Sequence, residues 1–212
     1  MFAHRTVHRS AAAITAAFAM LHMANHTAAL GGIDAHLAFM EQARAVYRQP
    51  LIETVLLLAV ALQAASGVAL LRARPGAHGW FARVQALSGA YLALFFLIHV
   101  SAVLAGRALF GLDTNVHFGA AGLQPGGYPL FFVPYYFLAI LALFVHVGCA
   151  LARLTRSHPR LRAGIVAGAG VVGAMLAVSI LAALMGQLYP YQVPPDYRLS
   201  GSLSDQAALP LQ

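Results

Sequence analysis

Two histidines, His22 and His99, are the residues whose type and spacing point most directly to chemistry. Each lies inside an apolar run long enough to cross a bilayer. An imidazole in the membrane interior needs a hydrogen bond, a proton-transfer role or a metal for its polar nitrogen, so both histidines are functional candidates. The structural alternative is a hydrogen bond between two helices.

The segments around these two histidines align with each other without a gap. Laying residues 7–31 on residues 84–108 pairs His22 with His99. Alanine matches are common in so apolar a chain, so we interpret the alignment as a weak internal repeat whose main content is the paired histidines. The repeat predicts that the two imidazoles lie at one depth in the membrane.

Opposed imidazoles on facing helices are the axial ligands that a haem iron needs, and an apolar slot between helices suits a porphyrin. Zinc prefers three or four ligands at one depth, often with cysteine or carboxylate, and the apolar runs offer no such set. We therefore predict one haem b, with His22 and His99 as iron ligands. His26, one turn from His22, is the alternative ligand, and Arg107, two turns from His99, is placed to pair with a propionate.

The composition predicts the surroundings of these residues. Of the 212 residues, 60% are hydrophobic and 9% are charged, which excludes a soluble globular domain. We predict an all-α integral membrane bundle with one haem-binding domain over residues 1–189 and an external tail over 190–212. Five segments have the length of a membrane span: Ser10–Gly32, Leu51–Leu71, Arg83–Gly106, Leu130–Leu151 and Leu161–Leu188.

The first span is followed by a segment with helical periodicity, Asp34–Arg48. Apolar residues beginning with Leu37 and Met40 recur at helical spacing, which predicts an amphipathic helix on the outer surface of the membrane.

The apolar run that starts near Ala11 continues to Gly32, beyond the length of a signal-peptide core. We therefore interpret it as a membrane span.

Arginines are distributed unevenly between the two ends of the predicted spans. One side has nine arginines and no acid, and the other side has all six acids. By the positive-inside rule the N-terminus is cytoplasmic, and the predicted location is the inner (cytoplasmic) membrane, crossed several times. The net charge of +7 is therefore a topology signal, and the absence of a groove-like basic run excludes a nucleic-acid site. The nine arginines are Arg5, Arg9, Arg72, Arg74, Arg83, Arg153, Arg156, Arg160 and Arg162.

His146 lies in the inner half of the fourth span. The residue that we expect to face it comes from the second span, where Gln63 is a poor iron ligand. We predict that His146 makes a hydrogen bond with Gln63, which has both a donor and an acceptor. On this interpretation the inner half of the bundle binds no haem.

The residues that support a family resemblance are His22, Ser88, Gly89, Phe95, His99 and His146, with the Tyr135-Tyr136 pair. In this arrangement the chain resembles the membrane-anchor cytochrome b subunits of succinate dehydrogenase and fumarate reductase, of the five-helix, single-subunit type. The resemblance implies iron–sulfur and flavoprotein subunits on the cytoplasmic face and quinone as substrate. It implies a non-catalytic or quinone-reactive subunit. The chain departs from the family's two-haem members at Gln63, where they place a histidine.

A quinone needs a hydrogen-bond donor beside an apolar slot and a route for protons. On the outer side the candidates are His26, Tyr47 and Glu53. On the inner side they are Ser88 with Gln85, and Ser88 matches the serine that members of the resembled family place near quinone. The sequence favours neither side.

The alternative function is a haem-free helical membrane protein, either a structural subunit or a small transporter. In that case the histidines of the spans make hydrogen bonds between helices. A transporter more typically has broken helices or buried carboxylates, which the spans lack. The absorbance spectrum of the reduced protein separates the two hypotheses.

Overall fold

The computed structural model describes residues 2–73, 79–155 and 157–198. The structure is 82% helix, and the described residues contain no strand, so the predicted all-α class is confirmed. The helices are α1 Phe2–Ala28, α2 Ile33–Tyr47, α3 Pro50–Arg72, α4 Trp80–Ala108, α5 Val116–Ala120, α6 Pro129–Ala152 and α7 Pro159–Leu184.

Four helices of the described chain are long and apolar enough to cross a membrane: α3, α4, α6 with its continuation to Thr155, and α7. Prolines begin three of them, at Pro50, Pro129 and Pro159, where a fixed φ and a missing N–H cost nothing. Large apolar side chains point outward, such as Leu130, which is 96% exposed. Such a surface suits lipid, and the chain is a multi-pass membrane protein.

The first helix, α1, begins earlier than the predicted span and is less apolar than the spanning helices. It begins at Phe2 instead of Ser10, ends at Ala28, and is not among the four spanning helices found in the described residues. Hydropathy marks only the apolar part of a helix, whereas backbone hydrogen bonding continues through the polar turns before it. The longer helix includes His8, 14 residues before His22 and therefore on the same face.

The segment predicted as an amphipathic helix is helical: it forms α2, with each end one residue from its predicted position. Its inward face includes Met40, whereas Val46 is exposed. His36 also lies on the inward face and is only 1% exposed. This helix therefore supplies a buried imidazole to the end of the bundle where α1 ends, which the apolar periodicity alone did not indicate.

Close contact between α6 and α7 depends on two glycines. A Cβ added at Gly148 would lie 2.6 Å from the Cβ of Ala169, and one at Gly173 would lie 2.8 Å from the Cβ of Phe144. Without side chains at these positions the two backbones approach closely, as is common between membrane helices.

The beginning of the predicted tail packs against the end of the bundle where α1 ends and α7 ends. The backbone N–H of Val193, a residue that is 3% exposed, donates to Gln124 Oε1, and Gln124 Nε2 donates to the carbonyl of Leu184. The Tyr189 hydroxyl donates to the carbonyl of Ala29 at 2.6 Å. The tail predicted over 190–212 is therefore tied to the helices as far as Arg198, and residues 199–212 lie outside the described residues.

Candidate functional site

The structure brings the two histidines of the predicted repeat together. The ring centroids of His22 on α1 and His99 on α4 are 6.2 Å apart, with 58° between the ring planes. Two imidazoles that bind one iron from opposite sides have ring centres about 6 Å apart, because each metal–nitrogen bond is about 2 Å long. The spacing fits a bis-imidazole iron site.

An aromatic ring stacks on each of these imidazoles. Phe18 lies on His22 with a centroid distance of 5.7 Å and an interplanar angle of 15°, and Phe95 lies on His99 at 5.0 Å and 11°. Tyr135 is 5.0 Å from Phe95, and its buried hydroxyl has no hydrogen-bond partner in the described part of the chain. The rings orient the imidazoles and surround them with apolar surface.

His26 is also in this cluster, but in a different position. Its Nε2 is 3.1 Å from His22 Nε2, and its Nδ1 is 3.3 Å from His36 Nε2. The ring contact with His99 is made by His22, so the geometry favours His22 over His26 as the second ligand. His26 instead connects His22 to the buried His36.

His36 is a site residue that the sequence analysis missed. Its Nδ1 is buried without a partner in the described residues. Burial, followed by the charges of Arg44 and His117, lowers the pKa of His36 to about 4, so this imidazole is neutral at physiological pH. Its position ten residues after His26, across the turn between α1 and α2, was the available signal.

Two predicted cofactor contacts, Arg107 and Glu53, are paired with each other. Both guanidinium NH groups of Arg107 donate to the carboxylate oxygens of Glu53. The Tyr47 ring, an outer quinone candidate, contacts Phe18 edge-on at a centroid distance of 5.4 Å, and Phe18 in turn stacks on His22. The propionate role of Arg107 and the quinone role of Glu53 stay predictions.

A second pair of histidines lines a cavity in the other half of the bundle. The cavity has a volume of about 180 Å³ and is bounded by α1, α3, α4 and α6. Its polar lining consists of His8, Gln63, Gln85, His146 and Arg153. The first helix thus contributes a histidine to each half of the bundle, and the sequence analysis did not consider His8.

The predicted hydrogen bond between His146 and Gln63 is wrong. His146 Nδ1 lies 3.1 Å from Ser88 Oγ, while Gln63 Nε2 lies 3.3 Å from His8 Nε2. The rotation of α1 about its axis places His8 in front of Gln63, and an alanine-rich helix gives little periodic signal for that rotation. Ser88 and Gln85, the inner quinone candidates, contact His146 and Arg153 respectively.

Histidine pairs are the metal-binding chemistry that the bundle offers. Among the residues that the structure describes, no group of three or more His, Cys, Asp and Glu side chains is arranged to bind a metal ion. A haem iron needs only two axial ligands, because the porphyrin supplies the other four. The pair His22 and His99, with ring centroids 6.2 Å apart, supplies that number of ligands.

Comparison with protein-family models, curated protein sequences and solved structures finds no match to this chain. The resemblance to the cytochrome b anchor family therefore stays a prediction from the residues named above.

Proposed function

We propose that this chain is a haem b membrane subunit that transfers electrons between a soluble iron–sulfur or flavoprotein partner and membrane quinone. The observation that carries the proposal is the pair His22 and His99, which lie on two helices with ring centroids 6.2 Å apart. Such a pair in apolar surroundings suits a six-coordinate iron that exchanges electrons without binding substrate.

When bound, haem b supplies a reversible one-electron couple. His22 and His99 would hold the iron, and the chain would orient their imidazoles. Phe18 and Phe95 stack on those imidazoles and limit access of water. Hydrogen bonds connect His22 to His26 and His26 to His36, so a row of imidazoles extends from His22 to α2.

The proposed topology has five spans with a cytoplasmic N-terminus. Two contacts support it. The guanidinium of Arg162, at the start of α7, lies 3.3 Å from the ring centroid of Phe81, at the start of α4. Arg153, at the end of α6, donates to Gln85 near the same end of α4. The arginine-rich helix ends thus meet on one side, where they would attract a soluble partner with an acidic surface.

Quinone is the proposed membrane substrate, with candidate sites on both sides. The outer candidates are His26, Tyr47 and Glu53, and the inner candidates are Ser88 and Gln85. Quinone reduction takes up protons as well as electrons, so a working site needs one of these donors within hydrogen-bond distance of a quinone oxygen.

The first experiment measures haem in the purified protein. The dithionite-reduced wild type should show the absorbance of a b-type cytochrome. By pyridine haemochrome assay, His22→Ala and His99→Ala should each lose one haem per chain. The control is His158→Ala, an exposed histidine in the connection before α7, which should keep the wild-type content. A wild type without haem, or unchanged haem in both ligand variants, would contradict the proposal.

The second experiment measures electron exchange with quinone. Mixing the oxidised protein with a naphthoquinol in a stopped-flow instrument should reduce the haem. Ser88→Ala or Glu53→Gln should slow this reduction, depending on which side binds quinone. If both variants react at the wild-type rate, both proposed quinone sites are wrong.

One observation favours the haem-free alternative. His26 on α1 is 3.3 Å from His36 on α2, as expected of histidines that only connect helices, and its other ring nitrogen contacts His22 on its own helix. An imidazole that binds iron and its neighbour also form such a bond when their ring nitrogens lie close together. The haem assay separates the two functions directly.

A further inference from the structure

We propose that the cavity lined by His8 and His146 binds quinone in its reduced, hydroxyl-bearing form, and that His146 Nε2 accepts the proton that this quinol loses on oxidation. The inference rests on the proposed function, which makes quinone a substrate of the chain. It goes beyond that function by choosing one of the two candidate sites, the redox form that binds there and the group that takes the proton.

Ser88 sets the tautomer of His146. His146 Nδ1 lies 3.1 Å from Ser88 Oγ, and the Ser88 hydroxyl donates to the backbone carbonyl of Gln85 at 3.2 Å. Because a hydroxyl has only one hydrogen, the serine oxygen accepts from Nδ1–H of the imidazole. His146 Nε2 therefore has a lone pair and no hydrogen, and this ring lines the cavity.

The same contacts change the role expected of Ser88. The family resemblance places this serine near quinone. In the structure the hydrogen of its hydroxyl is directed at the carbonyl of Gln85, so Ser88 has no second hydrogen to donate to a ligand. Ser88 is a positioning residue that acts through His146.

His8 orients the Gln63 amide in a similar way. The Ser66 hydroxyl donates to the carbonyl of Leu62 and lies 3.1 Å from His8 Nδ1, so His8 Nε2 is an acceptor as well. Gln63 Nε2 donates to this nitrogen at 3.3 Å. The other end of the amide, Gln63 Oε1, is buried and has no partner within the described residues.

The cavity therefore offers acceptors to a ligand. His146 Nε2 and Gln63 Oε1 belong to two residues that line it, and neither atom can donate a hydrogen bond. A quinol has two hydroxyl groups that donate, whereas the two oxygens of a quinone only accept. Because an acceptor buried against another acceptor is unfavourable, the site favours the quinol.

The size and the walls of the cavity suit a quinol ring. Its volume is about 180 Å³, and its apolar lining includes Leu70, Leu92 and Phe96. Pockets for drug-sized ligands begin at roughly 300 Å³, so this cavity suits a single small ring system. Such a ring would contact the apolar side chains while its hydroxyl groups meet the two acceptors.

The oxidation of a quinol to a quinone releases two protons and two electrons. The first proton moves from a quinol oxygen to His146 Nε2 while one electron passes to a one-electron oxidant, the role that the proposed function gives to haem. The imidazolium then releases its proton to water at the end of the cavity where α6 ends. Once the oxidant is regenerated, the second hydroxyl group loses its proton and electron in the same way.

The charge around His146 favours release of that proton. The titratable and charged groups that face His146 across the cavity are His8 on α1 and Arg153 at the end of α6, and its polar neighbours on α4 are Ser88 and Gln85. None of these side chains is an acid. The positive charge of Arg153 disfavours a lasting imidazolium, so the proton does not stay on His146.

The first test compares the affinity of the purified protein for the two redox forms of a naphthoquinone under anaerobic conditions. Trp80, the single tryptophan, begins α4 two residues before Ala82, which lines the cavity, so its fluorescence reports binding. We expect the naphthoquinol to bind about tenfold more tightly than the naphthoquinone, which is the effect of roughly one hydrogen bond. Gln63→Leu should weaken quinol binding and bring the two affinities together. Equal affinities in the wild type would overturn the proposal.

The second test is the rate at which naphthoquinol reduces the haem in a stopped-flow instrument. His146→Gly should slow this reduction by about 100-fold, a usual contribution of a general base, and added imidazole should restore it. Ser88→Ala should slow it as well but leave the dissociation constant of the quinol unchanged, because the serine acts through His146. The exposed His158→Ala is the control and should match the wild type in both tests.

The two tests separate this site from the proposed function. Reduction at the wild-type rate in His146→Gly would overturn the role of His146, and weaker quinol binding in Ser88→Ala would show that Ser88 contacts the ligand itself. A wild type that binds the quinol more tightly than the quinone but contains no haem would support the site and contradict the proposed function. A wild type with haem that binds no quinol would overturn the site alone.

Discussion

An imidazole inside a membrane protein has two nitrogens to satisfy, and the two histidine pairs do so differently. At His146 a serine accepts from Nδ1 and leaves Nε2 facing a cavity. At His22 the Nε2 atom instead meets the Nε2 atom of His26 at 3.1 Å. His22, His26 and His36 can therefore exchange hydrogen-bond partners among their imidazoles. At His8 and His146 the tautomer is instead set by serine hydroxyls that donate to backbone carbonyls.

The depth of a histidine in the bundle could be predicted from the sequence, but the residues that it contacts could not. His22 and His99 were paired because residue count gives distance along a helix, and their rings are indeed neighbours. His8 was overlooked because hydropathy began the first span at Ser10. His36 was overlooked because apolar spacing placed its helix on the surface. Both errors concern polar residues, whose burial depends on the neighbouring elements and not on their own segment.

The ion pair between Arg107 and Glu53 gives a prediction about the contribution of single side chains to stability. The two side chains are 33% and 26% exposed, so solvent screens them and their coupling should be about 1 kcal/mol or less. In a double-mutant cycle, Arg107→Gln and Glu53→Gln should each lower the unfolding midpoint slightly, and the double variant should add little more. Thermal unfolding in detergent measures this. Haem loss in Arg107→Gln alone would instead support its predicted role with a propionate.

Helices could be predicted from the sequence because lipid demands them. The second to fifth predicted spans correspond to α3, α4, α6 and α7, since an apolar run of this length in a bilayer must form its hydrogen bonds internally. The rotation of each helix about its axis was not predictable in the same way. A helix that is apolar on all sides has no preferred face in its composition, so contacts between side chains decide it.

Small residues in α7 illustrate the point. The sequence suggested packing through its glycines, which include the GxxxG pair Gly164 and Gly168, yet a Cβ at either of these two would meet nothing within 4 Å. The contact with α6 instead uses Gly173, together with Gly148 on the other helix. A small-residue motif indicates that close packing is possible, and the three-dimensional arrangement determines which glycines are used.

This difference predicts opposite effects of glycine substitutions. Gly148→Ala places a methyl group 2.6 Å from the Cβ of Ala169, and overpacking of this kind should destabilise the protein by about 1–3 kcal/mol. Gly168→Ala enters open space and should be neutral or stabilising by up to about 1 kcal/mol. Denaturant unfolding in detergent would compare the two. A Gly168→Ala variant as unstable as Gly148→Ala would show that α7 packs through its GxxxG face.

The whole molecule is organised by charge at its two ends. Acidic residues and their arginine partners meet at one end, as in the contact of 2.8 Å between Arg44 on α2 and Asp113 after α4. The sequence places arginines such as Arg83 and Arg162 at the other end, and no acid. The proposed soluble partner, with an acidic surface, would dock at the arginine-rich end.

The topology prediction concerns this polarity and whether α1 crosses the membrane. The natural Cys149 is fully buried, so an impermeant maleimide should label introduced cysteines with little background. In intact cells Gln42→Cys on α2 should react, whereas Ser157→Cys after α6 should react only after permeabilisation. A cysteine added ahead of Met1 should behave like Ser157→Cys if α1 crosses. Labelling of that cysteine in intact cells would place both ends of α1 outside and would contradict the proposed five-span topology.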